Sequence, residues 1–162
     1  MYKKPTILLA DDDVKLLRSA ELLLQDTFKV LAATDVAQAK AMLTHNSNIE
    51  IAVFDLSFEG QDEDGLSLID WTLKNRPRTP IAVLSGDTNT KRVVEAMQRQ
   101  LIDFIPKTSE YESDLRSAIA RGLELRKTSE RNSAGACFET RSPAVRKLLE
   151  QGRFRPLDTS NP

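Results

Sequence analysis

Residues 51–55 read IAVFD, a short apolar run that is rich in branched and aromatic side chains and ends in an aspartate. Continuous apolar runs of this length are typical of strands that are buried on both faces of a parallel sheet. Comparable runs recur along the first 105 residues. They predict five strands, namely Ile7–Ala10, Phe28–Ala32, Ile51–Phe54, Ile81–Leu84 and Ile102–Ile105.

The segments between these runs have helical periodicity. Apolar residues recur at three- and four-residue steps in the first of them, at Leu16, Leu17, Ala20, Leu23 and Leu24. Asp35 and Asn89 precede two of the segments and are predicted to be helix N-caps. Alternating strands and helices predict an α/β fold, a doubly wound five-stranded parallel sheet with helices on both faces.

Composition limits the class of protein. The chain has 162 residues, 40% of them hydrophobic, and a formal net charge of -1, which predicts one compact domain with an extension and no direct binding to nucleic acid. The apolar run near the amino terminus is too short for a signal peptide or a membrane span, so a cytoplasmic protein is expected. Cys137 and His45 are each the single residue of their type, which argues against a cysteine- or histidine-based metal site.

The residues that follow the predicted strands are polar and chemically related. Because ligands of parallel α/β sheets bind at the carboxyl ends of the strands, these residues are expected to meet at one edge. They comprise carboxylates after the first and third runs, a hydroxyl after the fourth and an ammonium after the fifth: Asp11, Asp12, Asp13, Asp55, Ser85 and Lys107.

Clustered carboxylates repel one another, and a hard divalent cation with oxygen ligands would relieve that repulsion. The ligand types favour Mg²⁺ over zinc. A carboxylate beside such an ion can attack phosphorus and form an aspartyl phosphate if the charge on the phosphoryl oxygens is neutralised. The pattern therefore indicates phosphoryl chemistry at one of these carboxylates, with Ser85 and Lys107 as stabilising groups.

Four motifs resemble those of the response-regulator receiver family of two-component signalling over about residues 5–126. They are ILLADDD at 7–13, IAVFDL at 51–56, IAVLSG at 81–86 and DFIPK at 103–107. Ser85 follows Asp55 by thirty residues, and Lys107 follows Ser85 by twenty-two, as in that family. The resemblance implies a flavodoxin-like (βα)5 fold with strand order 2-1-3-4-5.

The resemblance also implies residue roles. Asp55 would be the phosphoacceptor, and Mg²⁺ would be held by Asp11, Asp12, Asp55 and the backbone carbonyl of Ser57. Ser85 would bond the phosphoryl group and move toward it, Lys107 would pair with its oxygens, and Phe104 would be the aromatic switch residue that turns inward when Ser85 moves. Asp13 is interpreted as a helix cap.

The implied function is that of a switch and not of a metabolic enzyme. A sensor histidine kinase or phosphotransfer protein would supply the phosphoryl group, and the chain would assist its own phosphorylation and dephosphorylation. A downstream protein or a second copy would bind the face formed by the fourth helix, fifth strand and fifth helix.

Some features depart from the family pattern. The loop SFEGQDEDG at 57–65 lacks the usual proline and is about two residues longer, and Gln100-Leu101 replaces a glycine-alanine pair. Residues 127–162 are predicted to form a linker and tail with a short helix at 143–151 and no recognisable output domain. Asp87, two residues after Ser85, lies where family members tune phosphoryl hydrolysis.

Two other functions remain open from the residues. A receiver could serve only as a phosphorylation-independent docking module, although such a module has no need of a complete Asp, Ser and Lys set. Asp11 and Asp13 also form an Asp-x-Asp pattern like that of haloacid-dehalogenase-type phosphatases. In that reading Lys15 departs from the expected Thr or Val, and Asp55 has no role.

Overall fold

The structure of the protein is a computed structural model, and it describes residues 3–131. Five strands alternate with five helices along the chain. The strands are β1 (Thr6–Ala10), β2 (Lys29–Ala33), β3 (Ile49–Phe54), β4 (Ile81–Ser85) and β5 (Asp103–Pro106). The helices are α1 (Val14–Leu24), α2 (Val36–His45), α3 (Gly65–Asn75), α4 (Thr90–Met97) and α5 (Tyr111–Arg131).

The strands form one parallel sheet in the order β2-β1-β3-β4-β5, so the predicted flavodoxin-like topology is confirmed. Strand β3 lies between β1 and β4, and the strand order reverses at β1 and β3. In open α/β sheets this reversal places a crevice at the carboxyl ends of the strands. The topology therefore brings the ends of β1, β3, β4 and β5 to one edge of the domain.

Two apolar clusters cover the two faces of the sheet. Helices α2, α3 and α4 pack on one face with Leu43, Ile69 and Val93, and helices α1 and α5 pack on the other with Leu17 and Ile119.

Within residues 3–131, no helix is both long and apolar enough to cross a membrane.

Side-chain caps define where several helices begin. Asp13 caps α1 by accepting from the backbone amides of Lys15 and Leu16, and Asp35 and Asn89 cap α2 and α4. The predicted caps are therefore present. The first turn of α5 carries Glu112 and Asp114, where the helix dipole favours negative charge.

Strand β2 differs from the prediction in its bounds and in its burial. It begins at Lys29 rather than at Phe28, Lys29 is exposed, and Val30 to Ala32 are only half-buried. The physical reason is that β2 is an edge strand with β1 as its one neighbour. The other strands also differ by one or two residues at their ends, most at β3, which begins at Ile49.

Helix α5 includes residues 127–131, which the sequence predicted to be the first five residues of the linker. The Arg126 guanidinium donates to the carbonyl of Ile49 at 3.3 Å and pairs with Glu130 at 3.2 Å, and these contacts hold the last turns of the helix. The predicted helix at 143–151 and the rest of the tail lie outside the described residues.

Gly122 lies where α5 packs closely against the sheet. A Cβ atom at this position would lie 2.5 Å from Ile51 Cδ1 and 2.6 Å from Ile102 Cδ1, both in the core. We expect Gly122→Ala to lower the free energy of unfolding by about 1–2 kcal/mol, because overpacking outweighs the helix-propensity gain of alanine. Urea unfolding measures this. The exposed control Ser117→Ala should lose no stability, because alanine is the better helix former, and a Gly122→Ala protein as stable as the wild type would contradict the prediction.

Candidate phosphoryl-acceptor site

The polar residues predicted to meet at one edge do lie at the ends of adjacent strands. Asp11 follows β1, Asp55 follows β3, Ser85 is the last residue of β4, and Lys107 follows β5. An open cleft of about 560 Å³ lies over this edge. Because β3 lies between β1 and β4, Asp55 has the acidic pair on one side and the hydroxyl of Ser85 on the other.

The three predicted metal-binding carboxylates form a cluster. Carboxylate oxygens of Asp11, Asp12 and Asp55 all lie within 4.8 Å of one another. Asp11 is 4% exposed and Asp55 is 5% exposed, whereas Asp12 is half-buried. Oxygen ligands that are clustered and partly withdrawn from water suit a hard divalent cation such as Mg²⁺.

The Lys107 ammonium bridges two of these carboxylates. Its Nζ atom lies 2.7 Å from Asp11 Oδ2 and 3.2 Å from Asp55 Oδ2. Burial lowers the pKa of Lys107, but the hydrogen bond with Asp11 and the charges of both carboxylates outweigh burial and raise the pKa above its usual value. Lys107 is therefore cationic at neutral pH.

Ionisation of the buried Asp11 carboxyl is costly. Burial raises its pKa from 3.8 to about 6, the charge of Asp55 adds to this, and the hydrogen bonds from Lys107 and the Asp13 amide lower it in part. A positive charge beside Asp11 would favour its ionised form. The donor set thus fits a cation by its chemistry as well as by its spacing.

Backbone contacts fix the other two carboxylates. The Leu56 amide donates to Asp55 Oδ1 at 2.8 Å, and the Glu59 amide donates to Asp12 Oδ2 at 3.0 Å. Gly65 packs against the carbonyl of Asp55 so closely that a Cβ atom would lie 1.9 Å from that oxygen. The loop after β3 therefore positions Asp55 through its backbone, and only glycine fits where α3 begins.

The two serines contact Asp87 and are not hydrogen-bonded to Asp55 in the described part of the chain. Ser85 is buried, and its Oγ accepts from the Asp87 amide at 3.1 Å. Ser57 Oγ donates to Asp87 Oδ2 at 3.2 Å. Ser57 and Asp87 line the cleft, and the buried Ser85 is linked to Asp87 through the Asp87 backbone amide.

Phe104 lies in the core and not on the surface. It is 2% exposed and packs in the apolar cluster with Val83, Val93 and Leu101. A cavity of about 270 Å³ separates it from the loop after β4. The prediction that Phe104 turns inward when Ser85 moves requires the ring to start from an exposed position. In this structure the ring is already buried, although Ser85 still contacts Asp87.

Arg92, in the first turn of α4, is a site neighbour that sequence reasoning missed. Its guanidinium lies 3.3 Å from Asp87 Oδ2 and 3.2 Å from Asp64 Oδ2, and it also donates to the carbonyl of Leu56. Arg92 thus joins the loop after β4 to the loop after β3. No motif in the sequence indicates these contacts, since they depend on how two distant loops pack.

Comparison with known proteins identifies the family. The model of the response regulator receiver domain matches residues 7–120. The chain belongs to the response-regulator receiver family, whose members are in general phosphoacceptor switches of two-component signalling. This membership shows that the phosphatase interpretation of Asp11 and Asp13 is wrong, in agreement with the role of Asp13 as the cap of α1.

Particular relatives agree with this assignment. Protein PetR from Rhodobacter capsulatus is 30% identical over 155 residues, which cover 95% of this chain and 62% of PetR, so the chain spans less than two thirds of that relative. A CheY-like receiver domain from Methanospirillum hungatei superposes with a TM-score of 0.71 at 22% identity, covering 78% of this chain and 99% of that one. NtrX from Brucella abortus, solved in complex with ATP, gives a TM-score of 0.72 at 27% identity, covering 90% of this chain and 33% of NtrX.

The raised pKa of Asp11 predicts a pH-dependent stability in metal-free buffer. The Asp11 carboxyl keeps its proton up to about pH 6 in the folded state but only up to about pH 4 in the unfolded state. The ionisation of Asp11 therefore lowers the free energy of unfolding increasingly as the pH rises from 4 to 6. We expect Asp11→Asn to be more stable than the wild type above pH 6, by at most about 3 kcal/mol, with no gain near pH 4.

Urea unfolding in a chelator-containing buffer at pH 4, 5, 6 and 7.5 measures this difference. Asn retains an oxygen that can accept from Lys107, and Asp13→Asn, which keeps a good helix cap, is the matched control. A stability difference for Asp11→Asn that is the same at all four pH values would contradict the prediction.

Proposed function

We propose that this chain accepts a phosphoryl group on Asp55, in a Mg²⁺-dependent reaction, from a sensor histidine kinase or phosphotransfer protein. The observation that carries the proposal is the bridge of Lys107 to Asp11 and Asp55 beside Asp12 in one cleft. Receiver-family membership supports the same function.

Asp55 is the proposed nucleophile because of its place in the sheet. It follows β3, so the acidic pair after β1 lies on one side and Ser85, at the end of β4, on the other. A phosphoryl group on Asp55 would therefore have a cation-binding flank and a hydroxyl-bearing flank. Neither Asp11 nor Asp12 lies between two such flanks.

Asp11, Asp12 and Asp55 would hold the metal ion, with the Ser57 carbonyl as a further ligand. Bound Mg²⁺ would neutralise charge on the phosphoryl oxygens. The cluster supports this assignment through its 4.8 Å spacing and through the raised pKa of Asp11.

In the transfer, a carboxylate oxygen of Asp55 forms a bond to phosphorus. The bond between phosphorus and the donor's imidazole nitrogen breaks, and its electron pair stays on that nitrogen. The Lys107 ammonium, already 3.2 Å from Asp55 Oδ2, would pair with a phosphoryl oxygen, and Ser85 would donate its hydroxyl proton to another. The chain supplies the acceptor and the charge neutralisation, and hence assists its own phosphorylation.

The signal would leave the site through Ser85. To bond a phosphoryl oxygen, Ser85 Oγ would give up its contact with the Asp87 amide, at the start of the loop that leads to α4. The cavity of about 270 Å³ beside Ser85 and Phe104 gives this loop space to rearrange. A downstream protein or a second copy would recognise the altered face of α4, β5 and α5.

Intact mass after incubation with acetyl phosphate tests the proposal. We expect the wild type to gain one phosphoryl group only when Mg²⁺ is present, and Asp55→Asn to gain none, because the amide is not a nucleophile toward phosphorus. Asp13→Asn changes a neighbouring acid that caps α1 and should be phosphorylated like the wild type. The absence of a wild-type adduct under every condition would contradict the proposal and favour the docking-only function.

A further inference from the structure

Arg92 connects the two loops that border the cleft without lining the cleft itself. One guanidinium nitrogen lies 3.3 Å from Asp87 Oδ2, and the other lies 3.2 Å from Asp64 Oδ2 and donates to the Leu56 carbonyl. The Arg92 side chain is 29% exposed, so water screens these contacts only in part. Arg92 therefore holds α4 against the loop that carries Ser57.

Asp87 is the acidic group that Arg92 keeps paired. Its side chain is only 10% exposed, and its carboxylate accepts from Ser57 Oγ at 3.2 Å and from the Asn89 amide at 2.8 Å. Arg92 is the cation within salt-bridge distance of Asp87 in residues 3–131. Without Arg92, the largely buried Asp87 carboxylate would keep only neutral partners, the Ser57 hydroxyl and the Asn89 amide.

That carboxylate would matter because the cleft must receive an anion. Asp87 lines the cleft together with Lys107, and the acidic cluster and Glu59 already supply negative charge there. An incoming phosphoryl group bears negative charge on its oxygens, and repulsion between like charges rises as water is excluded. A cation that pairs with Asp87 from behind the cleft removes part of this repulsion.

We propose that Arg92 is a positioning residue for phosphoryl uptake, which neutralises Asp87 and fixes the Leu56 carbonyl next to Ser57. This inference rests on the proposed function of Asp55. It assigns a task to a residue that touches neither the phosphoryl group nor the metal.

Arg99 provides a matched control in the same part of the fold. It follows α4 and pairs with Asp70 of α3 through two nitrogens, at 2.7 and 2.9 Å, so it also ties the α4 segment to α3. Neither Arg99 nor Asp70 lines the cleft. Replacing Arg99 by Gln thus makes the same change of charge and breaks a similar contact, away from the site.

The experiment measures the affinity for beryllofluoride, an anionic mimic of the phosphoryl group, by calorimetry in the presence of Mg²⁺. We expect Arg92→Gln to bind about tenfold more weakly than the wild type, and Arg99→Gln to bind within about twofold of it. Thermal unfolding of both variants verifies that they are folded at the assay temperature.

A second substitution separates charge pairing from a purely structural role. In the Arg92→Gln background, Asp87→Asn removes the charge that Arg92 no longer pairs, so the double variant should regain affinity to within about threefold of the wild type. The loss of a merely structural contact would not be rescued in this way.

Each outcome decides a separate question. A wild-type protein that binds no beryllofluoride overturns the proposed function and this inference with it. A wild type that binds while Arg92→Gln binds equally well overturns the inference alone, and so does an Arg92→Gln defect that Asp87→Asn leaves unchanged. A defect that Asp87→Asn rescues supports the inference.

Discussion

The Lys107 ammonium between Asp11 and Asp55 is the interaction on which the rest of the site depends. It connects the ends of β1, β3 and β5, and it leaves three clustered carboxylates facing one half-buried positive charge. Burial raises the pKa of Asp11 to about 6 despite the hydrogen bond from Lys107, and the charge of Asp55 adds to this rise. A cleft with this imbalance favours the arrival of further positive charge.

The fold supplies this arrangement through backbone constraints more than through side-chain flexibility. Parallel strands place their carboxyl ends at one edge, and the amides of Asp13 and Leu56 hold one oxygen each of Asp11 and Asp55. Gly65 permits α3 to begin directly against the Asp55 carbonyl. The acidic groups are therefore fixed by short-range contacts with the backbone of the chain itself.

The residues at the strand ends could be predicted from the sequence because local apolar runs mark the strands. The sheet order could be predicted because four motifs resemble those of a known family. Strand β2 departs from the prediction because its burial depends on its edge position, which its composition does not encode. The length of α5 depends on the tertiary contact of Arg126 with Ile49, the first residue of β3. The burial of Phe104 and the contacts of Arg92 likewise arise from packing between segments far apart in the chain.

The contacts around α4 indicate which part of this helix would move in a rearrangement. The Asp87 amide donates to Ser85 Oγ and the Asp87 carboxylate pairs with Arg92, so a shift of Ser85 toward Asp55 would disturb the first turn of α4. The other end of the segment is held differently, because Val93 and Ala96 are buried in the core and Arg99 pairs with Asp70. The amino-terminal turn is bound through polar contacts that reach the cleft, whereas the other end is bound through apolar packing and an ion pair that do not. A rearrangement that begins at Ser85 is therefore expected to tilt α4 about its buried residues and not to translate the whole helix, since apolar packing resists displacement more than an exchange of hydrogen bonds does.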